Sequence, residues 1–203
     1  MLIAVCSLTE LLLQLTDHGI IGPTRLRGLV YHYGAFWPGL LGGWAPNYTL
    51  QPWTMFLSYG LLHGGIAHLL VNMLTLWSLG RGVISRVGAR GFGLIYVGAL
   101  IGGAGAFAAL AQPFPPMVGA SGALFGLAGA LLAWNYVDRY THRQGLWPVA
   151  NAAFWLVILN LVLWWAMSGQ LAWETHLGGF IAGWVMALLV DPRPLEEDEG
   201  TQP

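Results

Sequence analysis

A serine and a histidine stand inside two strongly apolar stretches of this chain, where polar side chains need a physical reason. Ser121 lies in the segment 119–126, which opens one apolar helix, and His176 lies near the start of another, much later in the chain. A serine hydroxyl is a weak nucleophile until a base removes its proton, and an imidazole suits that task near neutral pH. The two residues therefore predict nucleophilic catalysis by a Ser–His dyad.

Attack on an amide also requires hydrogen-bond donors for the oxyanion of the tetrahedral intermediate. His68 and Asn72 are spaced i, i+4, which puts both side chains on one face of a helix, and asparagine offers an uncharged N–H donor. The backbone N–H groups of Ala120 and Ser121 stand at a helix start, where amides lack an intrahelical acceptor. These four groups are the candidate oxyanion donors.

The composition is that of a membrane protein, because 56% of the 203 residues are hydrophobic and only 8% are charged. The 11 tryptophans and 29 glycines agree, since Trp concentrates at lipid–water interfaces and Gly allows close helix packing. A net charge of -1 provides no basic patch for phosphates and argues against a nucleic-acid partner. The single cysteine, Cys6, cannot form an internal disulfide.

Six apolar segments predict an all-α polytopic membrane protein with six transmembrane helices. They lie near residues 1–16, 64–80, 91–111, 119–137, 148–168 and 174–190. In the long first connection, about 17–63, the apolar runs are too short to cross a bilayer, and we expect this connection to lie in or on the interface. Residues 1–190 then form one membrane domain, and the acidic tail 191–203 is predicted to be disordered.

Charge placement predicts the orientation of this bundle. Six arginines follow the second, fourth and sixth segments, and two lie in the first connection. The six are Arg81, Arg86, Arg90, Arg139, Arg143 and Arg193, and the two are Arg25 and Arg27. By the positive-inside rule both termini face the cytoplasm, and we expect a bacterial inner membrane. The second, fourth and sixth helices then begin at the outer face. His68, Asn72, Ser121 and His176 share one depth, which predicts a polar cavity that opens outward.

Small-residue motifs indicate that two of these helices touch. The candidate helix-packing glycines are Gly119, Gly122, Gly126, Gly179 and Gly183. The last four form one Gly-x3-Gly motif on each helix, a spacing typical of close packing in membranes. At about 100° per residue, His176 lies on the glycine stripe of its own helix. A neighbour that packs on those glycines therefore passes close to the imidazole.

Three motifs in this order resemble those of the rhomboid intramembrane serine proteases. The segment 119–122 is similar to the G-x-S-G nucleophile motif, 63–72 is similar to the H-x4-H-x3-N segment of the second helix, and 176–183 resembles the histidine motif of the last helix. The resemblance covers essentially the entire chain. It implies a six-helix rhomboid-like bundle that hydrolyses peptide bonds in or near the transmembrane segments of substrate proteins within the lipid bilayer.

The resemblance also implies a role for each motif residue. Ser121 would be the nucleophile and His176 the general base and acid. Oxyanion donors would be His68, Asn72 and the backbone N–H at the serine, and an aromatic residue would stack on the catalytic histidine, here Phe125.

The first loop departs from the family pattern. His63 would hold this loop, as in the family, but many members carry Trp-Arg where this chain has Trp53-Thr54. We therefore expect the loop to be anchored differently.

Other functions fit the sequence less well. A catalytically silent, rhomboid-like membrane chaperone or client-binding protein has no need of the serine and the histidine. A transporter would need polar residues along a path through the bundle, but the inner halves of the predicted helices are nearly all apolar.

A metal site and a third carboxylate partner are also disfavoured. His63 and His68 lie about 140° apart on a helix and no His-Glu-x-x-His motif occurs, so we expect no metal and no cofactor. Glu174 cannot orient His176, because residues at i and i+2 point apart on a helix.

Overall fold

The computed structural model describes residues 1–111 and 116–190, and within them the regular structure is helical apart from one isolated β-bridge between Phe36 and Met117. The α-helices are α1 (Leu2–Asp17), α2 (Leu26–Gly34), α3 (Gln51–Ser58), α4 (Ile66–Leu110), α5 (Ser121–Thr141), α6 (Trp147–Ala166) and α7 (Trp173–Leu189). The predicted all-α class is confirmed. The predicted acidic tail, 191–203, lies outside the described residues.

Helix α4 contains two of the predicted apolar segments. They meet at Gly88, whose backbone has φ 68° and ψ -179° inside an otherwise helical run. Glycine adopts a positive φ without the steric penalty that a Cβ brings. The second and third predicted segments are therefore joined by a bend at one residue, and not by a loop.

Two of the described helices are long and apolar enough to cross a membrane, Ile66–Leu110 and Trp147–Ala166. Helices α1 and α7 have 16 and 17 residues, which is short of a full bilayer crossing without tilt or flanking turns. Every predicted apolar segment lies largely on a helix, but the count of six spans stays a prediction.

The long first connection contains helices α2 and α3 and is tied down by an ion pair. The Arg27 guanidinium donates from Nη2 to Glu10 Oε1 at 2.8 Å and from Nη1 to Glu10 Oε2 at 3.0 Å. Glu10 is 1% exposed, so the two-pronged contact supplies the partner that a buried carboxylate requires. The hydrogen bonds that Arg27 donates to the Glu10 carboxylate raise the pKa of Arg27 further above its ordinary value. This pair accounts for an acidic residue inside the first apolar segment.

The same arginine anchors the connection to the start of α4. Arg27 Nη1 and the Tyr31 hydroxyl both donate to the His63 carbonyl oxygen, at 3.0 and 2.6 Å. Thr54, at the position where the family has arginine, shares a 2.6 Å hydrogen bond with the Tyr48 hydroxyl. Arg27 and Tyr31 together therefore anchor the connection at His63.

Helices α4, α5 and α7 form the centre of the molecule. Their contact is lined with glycine and alanine, and the Trp134 indole on α5 donates to the Ala187 carbonyl on α7 at 3.0 Å. Helix α6 lies at the periphery, with Val149 as its one buried residue. The serine and histidine of the predicted dyad are thus carried by two central helices.

Candidate active site

The nucleophile candidate stands on the first residue of α5. Gly119, two residues earlier, has φ +125° and its N–H donates to the Tyr59 carbonyl at 2.9 Å, which directs the chain into the helix. Gly119 therefore differs from the other predicted packing glycines. It lies outside α5, and a Cβ there would overlap the His68 ring.

The two dyad residues meet across the α5–α7 contact. Ser121 Oγ lies 2.8 Å from His176 Nε2, a normal hydrogen-bond distance. His176 is 4% exposed, and Ser121 is half-buried. This arrangement lets the hydroxyl donate its proton to the imidazole, which is the starting geometry for general-base activation of a serine.

Glycines make this approach possible. A Cβ on Gly179 would overlap the Gly122 carbonyl oxygen, and a Cβ on Gly183 would overlap the Gly126 backbone. The backbones of α5 and α7 are thus in direct contact at both predicted motifs. Because His176 lies one turn before Gly179 on the same stripe, the contact carries its ring to the start of α5.

The His176 ring is fixed on its face and on its second nitrogen. Phe125 stacks on it with ring centroids 4.2 Å apart and planes 8° apart. Its Nδ1 lies 2.6 Å from Oδ1 of Asn160 on α6. Asn160 was not predicted as a site residue. The sequence did contain one indication of its role. Asn160 is an amide in the middle of an apolar segment, where polar groups usually find a partner on another helix.

His68 lies beside the turn that leads to the serine. Its Nδ1 accepts from the Gly64 N–H at 3.2 Å, so the neutral ring carries its proton on Nε2. The Cε1–Nε2 edge of the ring faces Gly119. His68 is therefore a neutral N–H donor next to the nucleophile turn.

Asn72 and Ala120 are placed near this turn in different ways. Asn72 Nδ2 donates to the His68 carbonyl at 2.9 Å, and its buried Oδ1 has no hydrogen-bond partner among the described residues. It makes no hydrogen bond to Ser121 in this part of the chain. Ala120 is fully buried and immediately precedes α5, so its N–H and that of Ser121 belong to the unpaired helix start.

His63 is buried beside His68, with ring centroids 5.3 Å apart. Burial, followed by the charge effect of His68, lowers the pKa of His63 to about 4. The ring is therefore neutral near pH 7 and adds no positive charge beside the candidate oxyanion donor. Its carbonyl oxygen, and not its ring, holds the first connection through Arg27 and Tyr31.

Among the described residues, no group of three His, Cys, Asp or Glu side chains could hold a metal ion. Glu174, on the first turn of α7, makes no hydrogen bond to His176 within that part of the chain, and the ring's third contact is Asn160. The chemistry that this arrangement supports is acid–base activation of a hydroxyl in a largely buried site.

Comparison with known proteins gives the family. The family model described as Rhomboid domain matches residues 49–193, which is more than half of the chain. The chain is 38% identical over 135 residues to Rhomboid protease GluP of Bacillus subtilis (strain 168), covering 66% of this chain and 25% of that protein.

Eukaryotic proteins match over a similar region. RHOMBOID-like protein 5 of Arabidopsis thaliana is 31% identical over 134 residues, covering 66% of this chain and 42% of that protein. Rhomboid protein 1, mitochondrial, of Saccharomyces cerevisiae is 33% identical over 150 residues, covering 64% and 41%. The chain therefore spans between 25% and 42% of the length of these three relatives. The domain match and the motif order together show that this chain belongs to the rhomboid family, whose members are integral membrane proteins.

Proposed function

We propose that this chain is an intramembrane serine protease that hydrolyses peptide bonds in or near the transmembrane segments of membrane-protein substrates. The observation that carries the proposal is the 2.8 Å contact between Ser121 Oγ and His176 Nε2. It is supported by membership of a family that includes a relative named as a protease.

In the proposed reaction Ser121 attacks the scissile carbonyl while His176 Nε2 takes the hydroxyl proton. The tetrahedral intermediate carries a negative oxygen, for which the His68 Nε2–H is the side-chain donor that the geometry favours most. The backbone N–H groups of Ala120 and Ser121 and the Asn72 amide complete the proposed donor set. His176 then gives its proton to the leaving amine, and water, activated by the same imidazole, hydrolyses the acyl-enzyme.

The proposed setting is a six-helix bundle with both termini in the cytoplasm and the site open toward the outer face, as in a bacterial inner membrane. A transmembrane helix hides its carbonyls in internal hydrogen bonds, so a substrate segment must unwind before attack. Substrates are therefore expected to contain Gly or Pro close to the cleavage point. Helix α6 buries only Val149 and is the proposed wall beside which such a segment enters.

The test uses purified protein in liposomes with a model transmembrane substrate. Wild type is compared with Ser121→Ala and His176→Ala, and the matched controls Ser85→Ala and His142→Ala change the same residue types at exposed positions. Cleavage is expected in the wild type and the controls and in neither dyad variant. Equal cleavage by the wild type and the dyad variants would remove the mechanism.

A serine-directed fluorophosphonate separates an enzyme from a silent relative. Labelling is expected in the wild type and absent in Ser121→Ala. A folded wild-type protein that neither labels nor cleaves would identify the chain as a silent client-binding relative. Labelling that persists in Ser121→Ala would point to a different nucleophile.

A further inference from the structure

Both ring nitrogens of His176 have partners, and the second partner comes from a helix outside the α5–α7 contact. Nε2 lies 2.8 Å from Ser121 Oγ, and Nδ1 lies 2.6 Å from Asn160 Oδ1. Asn160 is half-buried on α6. Among the described residues this is the only side-chain hydrogen bond that α6 makes. It joins a peripheral helix to the dyad.

The Asn160 contact decides which nitrogen of the neutral imidazole carries the proton. An amide oxygen only accepts hydrogen bonds, so a bond to Oδ1 requires the proton on Nδ1. Nε2 is then unprotonated and can accept from the serine hydroxyl. With the opposite tautomer, Nε2–H would donate to Ser121 and could not remove its proton. The partner of one nitrogen thus sets the chemistry of the other.

We propose that Asn160 is a positioning residue that fixes the tautomer and the in-plane orientation of His176. The inference rests on the proposed protease function and adds to its Ser–His dyad a third residue that orients the imidazole and takes no proton. Phe125 restricts the ring by stacking on its face, but a ring flipped by 180° about its Cβ–Cγ bond would stack equally well with Nδ1 and Cδ2 exchanged. The hydrogen bond to Asn160 acts at the ring edge and removes that freedom.

An amide suits this position better than a carboxylate does. A lone carboxylate on an apolar helix would have to be buried without a cationic partner, which is costly in hydrocarbon. The asparagine oxygen accepts the same Nδ1–H bond without bringing a charge. The alternative role for Asn160 is helix association alone, in which its loss would weaken the α6 contact and leave the chemical step unchanged.

The first test reads the tautomer directly and needs no substrate. The protein is labelled with 15N-histidine, and the ring nitrogens of His176 are assigned by comparison with His176→Ala. We expect a protonated Nδ1 and an unprotonated Nε2 in the wild type at a pH where the ring is neutral. The opposite tautomer would overturn the proposal, whether or not the protein cleaves peptides.

The second test separates positioning from packing. Asn160→Leu removes the acceptor, Asn160→Asp keeps an oxygen at the same place, and Asn151→Leu makes the matched change at an exposed position on the same helix. We expect Asn160→Leu to lower kcat by roughly 10- to 100-fold with KM little changed, as for a misplaced catalytic group. Asn160→Asp should lose less activity than Asn160→Leu, because a carboxylate oxygen still accepts the Nδ1–H bond although its burial is costly. Asn151→Leu should match the wild type.

The outcomes distinguish this inference from the proposed function. A folded Asn160→Leu with wild-type kcat, or equal losses in the Leu and Asp variants, would overturn the role of Asn160. If Asn160→Leu does not fold, the tautomer measurement and Asn160→Asp decide. Loss of the protease proposal would appear separately, as a wild-type protein that neither cleaves substrate nor labels with fluorophosphonate.

Discussion

Helices α6 and α7 are neighbours in sequence, yet the protein holds them by opposite means. Helix α7 meets α5 backbone to backbone, because Gly179 and Gly183 have no side chain to keep the two helices apart. Helix α6 buries only Val149 and reaches the site through the amide of Asn160. Ser121 and His176 lie on different helices, so the distance between them is fixed only if the two helices pack closely. Helices α5 and α7 pack in this way. Helix α6, which borders the site at the periphery of the bundle, packs much less closely against the other helices.

The difference indicates where substitutions will be tolerated. At a glycine contact each added atom must displace backbone, which cannot rotate away as a side chain can. On α6 most side chains face outward, and a change there alters one lipid-facing surface. The predictions below compare the two regions.

The largest effect is expected at the α5–α7 contact. In Gly183→Leu the new side chain would overlap the Gly126 backbone, so α7 must separate from α5. We expect a loss of roughly 3 kcal/mol or more of unfolding free energy, at the upper end for overpacked sites, together with loss of cleavage. Gly105→Leu is the control, since a Cβ at this exposed α4 glycine meets nothing within 4 Å. Thermal unfolding in detergent is measured for both, and equal Tm values would contradict the packing argument.

A smaller effect is expected where a side chain joins the same two helices at their other end. Trp134→Phe keeps an aromatic ring and removes the indole N–H that donates to the Ala187 carbonyl at 3.0 Å. We expect a loss of roughly 2 kcal/mol of unfolding free energy, because the smaller ring leaves a cavity at this buried position and the Ala187 carbonyl loses its donor. The variant should still cleave substrate, because the end of the contact that carries Ser121 and His176 is intact. An activity loss greater than the stability loss would argue against this separation.

The stacked ring on His176 should affect rate more than stability. Phe125→Leu removes the face-to-face contact at 4.2 Å, and we expect kcat to fall by roughly 2- to 10-fold, in line with about 0.5–1.5 kcal/mol for an aromatic pair. Phe125→Tyr preserves the ring and should retain activity. Steady-state cleavage of the model substrate measures both variants, and a Leu variant as active as the Tyr variant would show that the ring has no role.

The smallest effect is expected on the outer face of α6. Leu161 is 55% exposed, and Leu161→Ala should change the unfolding free energy by about 0.5 kcal/mol or less. The comparison with Gly183→Leu uses the same thermal-unfolding measurement. A Tm change at Leu161 as large as that at Gly183 would mean that α6 is part of the core.

The parts of the site that depend on local sequence could be predicted. The Gly-x3-Gly stripes and their spacing to His176 predicted a close approach of two helices, which the contacts of Gly179 and Gly183 with α5 confirm. The shared membrane depth of the polar residues stays a prediction. These inferences need only helical periodicity and the rule that polar groups avoid hydrocarbon.

The parts that depend on pairing between distant elements could not be predicted. Glu10 and Arg27 are separated by a turn of unknown direction, so their ion pair could not be inferred from spacing. Asn160 lies in a helix that is apolar on all sides, so periodicity did not indicate which face points toward His176. A break between residues 80 and 91 was predicted, but its form was not, because a glycine inside a helical pattern does not by itself indicate that one residue makes the whole bend.

The β-bridge between Phe36 and Met117 links the long first connection to the segment that leads into Ser121. The Phe36 N–H donates to the Met117 carbonyl at 2.9 Å, and the Met117 N–H donates back at 3.0 Å. Met117 lies just before the turn at Gly119, so the position of the first connection is passed to the backbone that aims the serine hydroxyl. A displacement of the first connection would therefore shift the backbone that leads into Ser121, and under the proposed function we expect lipid chain length to change the cleavage rate.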